Sequence, residues 1–168
     1  MVWIGNALHM SEKPSKNVAV VMQRRVSQSK WVDHVWEPIG VLEGHDEGAS
    51  RLLVDRPETK QWLHPGFKLE LHKDELEGYY LNVSASDPSV FVLWRMDGTG
   101  ETEHALPLDV TVSAEEGGRW LDGGHSVDAV AMPAPIFAWL GDYVEHNYRP
   151  EPKKRIKPRS FIHPKDRR

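Results

Sequence analysis

Residues 67–96 read FKLELHKDELEGYYLNVSASDPSVFVLWRM. Phe67, Leu69 and Leu71 alternate with Lys68, Glu70 and His72, the period-two signature of a half-buried strand. Further on, Ser86-Asp87-Pro88-Ser89 is turn chemistry: Asp and Ser side chains satisfy nearby backbone groups, and Pro fixes φ. Residues 79–83 and 90–96 flank that turn and are rich in aromatic and β-branched residues, so both are expected to be strands. A strand, a tight turn and a strand are antiparallel neighbours. The stretch therefore predicts an antiparallel sheet.

The same signals extend outward. Residues 17–25 carry Val18, Val20 and Val21 and end in Arg24-Arg25. Residues 31–43 carry Trp36, Ile39, Val41 and Leu42, and Pro38 among them marks an edge strand or a bulge. Short apolar runs follow at 51–55 and 107–113. Turns recur roughly every 8–15 residues, the rhythm of an all-antiparallel sheet that is curled or barrel-like. Ser113-Ala-Glu-Glu116 is a capping box and opens one short helix through Trp120 and Leu121, which Gly123-Gly124 stops. A C-terminal amphipathic helix begins near Pro133, with Ile136, Trp139, Leu140, Tyr143 and Val144 at helical spacing. The expected class is α+β.

Composition agrees with one globular unit. The chain has 168 residues, 39% hydrophobic and 27% charged, which suits a domain with a proper core and not a disordered chain. Cys is absent, so this chain alone makes no disulfide, thiol nucleophile or Cys-ligated metal site. Its longest apolar run is too short to span a bilayer. Residues 1–9 have no signal-peptide pattern; two readings stand side by side, a start of translation at Met10 with 1–9 as an extension, or a short disordered terminus that is native. The expected organisation is a flexible extension over 1–16, a single globular domain over 17–148 and a basic tail over 149–168.

That tail carries the strongest charge contrast. It reads RPEPKKRIKPRSFIHPKDRR, with nine Lys/Arg against two Asp/Glu, a formal +7. The remaining 148 residues hold twelve against twenty-three, a formal −11. Such asymmetry marks an interaction tail. An acidic body repels polyanions, so nucleic acid is the least favoured partner and an acidic protein surface the best. A tail lying on its own acidic body is the bland reading, of equal weight. Lys153, Lys154, Arg155, Lys157 and Arg159 would supply charge, and Phe161 an apolar anchor.

Seven Trp and nine His are the other candidates. Trp94, Trp120 and Trp139 fall on apolar phases and are expected in the core. Trp31 and Trp36 flank Val-Asp-His-Val beside a Pro and are candidate partner-binding residues. No His pair has the spacing of a closed metal site, although His45-Asp46-Glu47, His72-Lys73-Asp74 and Asp122-Gly-Gly-His125 could bring imidazoles near carboxylates. No GxSxG, Walker or GxGxxG motif is present, and Gly98-Thr-Gly100 is too sparse for a phosphate loop. No catalytic residue, cofactor or metal is expected.

The strings VAVVMQRR, VWEPIGVL, LELHKDELEGYYLNVSASDPSVFVLWRM, VTVSAEEGGRWLDGG and VDAVAMPAPIFAWLGDYVEHNYRPEPKKR resemble an uncharacterised bacterial domain-of-unknown-function family over residues 17–168. Its genes commonly neighbour those of molybdenum-dependent formate dehydrogenase. The resemblance implies a cytoplasmic setting near assembly or operation of a molybdoenzyme, and it brings no catalytic residues. The expected function is that of a non-catalytic accessory protein that binds another protein. The alternative is a small-ligand or nucleotide-binding domain with its pocket on the curled sheet.

Overall fold

The computed structural model describes residues 13–44 and 47–152. Strand β1 (Ser15–Val26) is an inner strand of a four-stranded sheet ordered β2-β1-β4-β3, with β2 at His34–Glu43, β3 at Arg51–Asp55 and β4 at Thr59–Glu70. A second sheet is ordered β6-β5-β7, from β5 (Ser89–Asp97), β6 (His104–Thr111) and β7 (Ser126–Ala131). Every pairing is antiparallel. The α+β class and the antiparallel pattern hold. The strands divide between two sheets, and neither closes into a barrel.

The first sheet is shaped by two chain breakers. Pro38 sits on edge strand β2, where its missing N–H costs no ladder bond, and the register slips between Val21 and Met22 so that Ile39 bulges. In β4, Pro65 and Gly66 fall where the pairing with β1 slips between Val18 and Val20, and Gly66 takes φ +93°. Residues 67–72 were expected as the whole strand. Its N-terminal half was hidden by this Pro-Gly pair, which a bulge accommodates.

The core lies between the sheets. Val18, Val20 and Met22 of β1 meet Leu69 and Leu71, then Val90, Val92 and Val110 of the second sheet and Val112 just after it. Helix α3 (Ala134–Asn147) closes it with Ile136, Leu140 and Val144, the face expected from its spacing. Helix α2 (Ala114–Asp122) starts where the capping pattern placed it: Ser113 Oγ accepts from the Glu116 amide at 3.1 Å. The reciprocal half differs. Ser113 donates its hydroxyl proton to Glu75 Oε2 at 2.5 Å, and Glu75 also accepts from Arg119.

One expected strand is a helix. Residues 79–83 belong to α1 (Leu76–Val83), which a 3-10 turn at Lys73–Glu75 introduces. Helical spacing puts Tyr79, Asn82 and Gly78 on its buried side and leaves Tyr80 and Leu81 exposed. Gly78 is there because α1 lies against the α2 cap: a Cβ would stand 2.1 Å from Ser113 Oγ. Asn82 locks the helix end. Its amide donates to the Ser89 and Val112 carbonyls, both at 2.7 Å, and its oxygen accepts from the Ser89 amide at 2.9 Å.

The N-terminal boundary also moves. Ser15 and Lys16 are already in β1, Lys16 pairs with Glu43 at 2.6 Å, and the Pro14 carbonyl accepts from the Leu71 amide. The expectations for residues 1–9 and Met10 lie outside the described residues, as does the tail from Lys153 onward.

Candidate functional site

β1 has two ends with different surroundings. At its start, the Lys16 ammonium lies 5.6 Å from the Trp139 ring of α3. At its far end, away from that helix, Arg24 shares the core-facing phase of Val18, Val20 and Met22 across the slipped register. Here the apolar core gives way to a cleft between the two sheets. Arg24 is opposite Trp36 on β2 and Lys60 on β4, and Met22 is opposite Trp62. The pairing brings the two indoles together over β1, stacked with 5.2 Å between centroids and 25° between planes. The Arg24 guanidinium lies 5.8 Å from the Trp36 ring.

The opposite wall is the β5–β6 hairpin. Its tip, residues 98–103, is braced internally: Thr102 donates its hydroxyl to the Thr99 carbonyl at 2.8 Å, and the Thr99 amide donates back to Thr102 Oγ1 at 3.1 Å. Gly98 permits this, with φ +75° and a Thr102 carbonyl oxygen 2.4 Å from where a Cβ would sit. The tip presents Glu101 and Glu103 to the cleft. Two lobes result. One of about 560 Å³ lies between the β1–β2 and β5–β6 tips, with Trp36, Trp94 and Met96 in its walls. The other, about 450 Å³, runs past Trp62, His64 and His104. Arg24, Trp36, Glu101 and Glu103 line both.

The histidines differ in their surroundings. His64 Nδ1 is 2.8 Å from Ser50 Oγ, and burial, then the nearby charge of His104, hold the His64 pKa below its ordinary value. His104 donates from Nδ1 to the Thr102 carbonyl at 2.8 Å and keeps Nε2 3.9 Å from Asp97. Among the described residues, no three His, Asp or Glu converge on a point that could hold an ion. His72 approaches Glu70 at 3.7 Å and not Asp74. His45 and Asp46 lie outside the described residues.

The expected partner-binding residues separate. Trp31 is 92% exposed at the β1–β2 tip. Its loop is held by the Ser27 amide on the Asp33 carbonyl, the Ser29 amide on Ser27 Oγ and the Trp31 amide on Ser29 Oγ. Trp36 points inward and is half-buried against Trp62. Lys153, Lys154, Arg155, Lys157, Arg159 and Phe161 lie outside the described residues. None of the three expected core tryptophans is fully buried: Trp94, Trp120 and Trp139 are half-buried, and Trp94 and Trp139 pack against the edge of the core. An indole N–H needs a polar partner, and Trp94 finds one in Asp128 Oδ2 at 2.6 Å.

The model for a family described as a protein of unknown function, DUF3305, matches residues 17–157. The chain belongs to the DUF3305 family. Neither the curated proteins nor the solved structures contain a match to it. The DUF3305 match spans both sheets, all three helices and every residue named in the cleft. Among the described residues, no helix is long and apolar enough to cross a membrane.

Sequence reading missed Arg24, Trp62, His64, Glu101, Glu103 and His104. The signal for Trp62 and His64 was their alternation with Leu63, the same period that marked residues 67–72. The glutamates carried no local signal, because their role depends on which strand end the hairpin tip faces.

Proposed function

We propose that this DUF3305 protein is a non-catalytic accessory protein of the cytoplasm that binds another protein, serving assembly or operation of a formate-dehydrogenase-type molybdoenzyme. The observation that carries the binding role is Trp31. A large apolar ring held almost wholly in solvent by a hydrogen-bonded loop has no part in folding, and such aromatics are enriched among residues that dominate interfaces. Val32 and Met96, 52% and 38% exposed, extend the apolar surface toward the cleft. The basic tail supplies steering toward an acidic partner, since exposed charges act mainly on encounter and buried aromatic anchors on dissociation. The molybdoenzyme setting rests on the gene neighbourhood of the family that the sequence resembles.

The test is kinetic, with a purified formate dehydrogenase and its maturation proteins immobilised in turn. Binding is expected to at least one of them. Deleting residues 153–168 lowers the association rate, and the deficit shrinks as salt rises. Trp31→Ala raises the dissociation rate. Absence of binding to all of them overturns the setting, and unchanged dissociation for Trp31→Ala overturns the role of the tip.

A second reading has its own observation. The lobes fall within the roughly 300–1,000 Å³ of small-molecule sites, and they bring His64 and His104 beside Trp62. This favours a small-ligand or nucleotide-binding domain. A thermal-shift series with free nucleotides separates the readings: stabilisation that Trp62→Ala abolishes supports the ligand reading.

A further inference from the structure

The larger lobe is biased toward cations. Asp33, Glu101 and Glu103 line it, against the single guanidinium of Arg24. None of the three carboxylates forms an ion pair among the described residues, and Arg24 lies over the Trp36 ring instead. Carboxylates beside indole rings attract ammonium and guanidinium groups both by charge and through the ring quadrupole. Val32 and Met96 at the same lobe offer apolar surface to a neighbouring side chain. The complementary occupant is an extended basic segment with an apolar residue among its charges.

The chain carries such a segment. The described residues end at Pro152, and the sequence continues KKRIKPRSFIHPKDRR, eight Lys/Arg against one Asp with Phe161 and Ile162 near the middle. Its root is fixed near the helices: Tyr148 stacks on Tyr80 at 4.5 Å and donates its hydroxyl to Glu77. From the helix end of β1 at Lys16 to the cleft end at Arg24 is about 26 Å at the rise of a strand. Sixteen extended residues reach roughly 50 Å, enough to cover that distance.

We propose that the basic tail, residues 153–168, occupies the acidic, tryptophan-lined lobe of its own chain. The inference rests on the partner reading: the tail's charge is held at the lobe, beside the exposed Trp31 tip, where it steers an acidic partner to that surface. An intramolecular occupant has an effective concentration on the order of millimolar, so weak individual contacts suffice to hold it.

The absence of Cys makes the test direct. Ser160→Cys places one thiol in the full chain, to carry a nitroxide spin label. Amide resonances of Val32 and of residues 99–103 should lose most of their intensity, while those of α2 keep theirs. Raising salt to about 1 M, where the screening length is about 3 Å, should restore them. The double substitution Glu101→Gln, Glu103→Gln should do the same, and its otherwise unchanged spectrum reports an intact fold. Uniform or absent broadening overturns the proposal. Broadening that appears when labelled, NMR-silent chain is mixed with unlabelled isotopic chain puts the tail in a neighbour's lobe and overturns the intramolecular assignment. Either failure leaves the partner reading standing, because that reading turns on rate constants measured with the partner itself.

Discussion

Trp36 stacks on Trp62 over β1, although their strands are not neighbours. The register makes this possible: Trp36 is opposite Arg24, Trp62 is opposite Met22, and large rings lean across the diagonal between the two pairs. The stack seals the core where the sheets part to form the cleft. Trp36→Ala and Trp62→Ala should each cost about 2–3 kcal/mol, because each ring is only half-buried. A double-mutant cycle by urea unfolding should show about 1 kcal/mol of coupling. Strictly additive losses would mean that the rings pack independently.

Gly78 should reverse the usual helix rule. Gly→Ala inside a helix normally stabilises by about 1 kcal/mol. At Gly78 the added methyl meets Ser113 Oγ at 2.1 Å and the Glu115 amide nitrogen at 3.2 Å. Ser113 cannot give way without losing its bonds to Glu75 and to the α2 cap. Gly78→Ala should therefore lower stability by at least about 2 kcal/mol, while Gly118→Ala, with open space around it, should raise it. Thermal unfolding of the two variants, side by side, checks the opposite signs.

These two sites mark what the sequence could tell. Alternation read Phe67, Leu69 and Leu71 correctly, because a strand face is a local property. Ser113 and Pro133 placed two helices for the same reason. Residues 79–83 misled, because Tyr-Tyr-Leu-Asn-Val has strand propensity and the helix is stabilised by contacts distant in sequence: Gly78 against Ser113, Asn82 against Ser89 and Val112, Tyr79 against Tyr143. Trp31 was legible as an aromatic in a polar loop. Its separation from Trp36 was not, since it depends on where the hairpin tip ends. The cleft was the least legible feature. It exists only because one sheet sets Arg24 and Trp62 side by side and the hairpin of another brings Glu101 and Glu103 to face them.

Asn82 offers a test of a fully satisfied buried amide. It is 2% exposed and makes three hydrogen bonds that tie α1 to Ser89 at the start of β5 and to Val112 just past the end of β6. Asn82→Asp keeps the shape and removes two donors, so a carboxylate would face the Ser89 and Val112 carbonyls. The cost should be at least about 3 kcal/mol at neutral pH. A neutral carboxyl can still donate once. The charged form is disfavoured in the fold, so the folded pKa of the new group rises above its unfolded value. The penalty relative to the parent should then grow as pH rises through the unfolded carboxyl range near about 4 and be smallest below it. A penalty independent of pH would show that the loop around Ser89 rearranges to let water in.

His64 sets the acid side of the parent's own stability. Burial first, and His104 second, hold its folded pKa below the ordinary 6.5. A depressed folded pKa means that the unfolded chain binds the proton more readily. The contribution of His64 is therefore fully present above about pH 6.5 and is lost as pH falls through the folded value. His64→Asn keeps a polar atom for Ser50 and cannot titrate. The difference in unfolding free energy between parent and variant should be constant above neutrality and shrink on acidification. His104→Asn removes the second cause, raises the His64 pKa toward its ordinary value and should soften the same decline. His64 is on β4 and His104 on β6, so the two imidazoles face the cleft from different sheets. Urea titrations from about pH 5 to about pH 8 decide it. If parent and His64→Asn run parallel throughout, His64 is solvated in the working molecule and the cleft wall it forms is open to water.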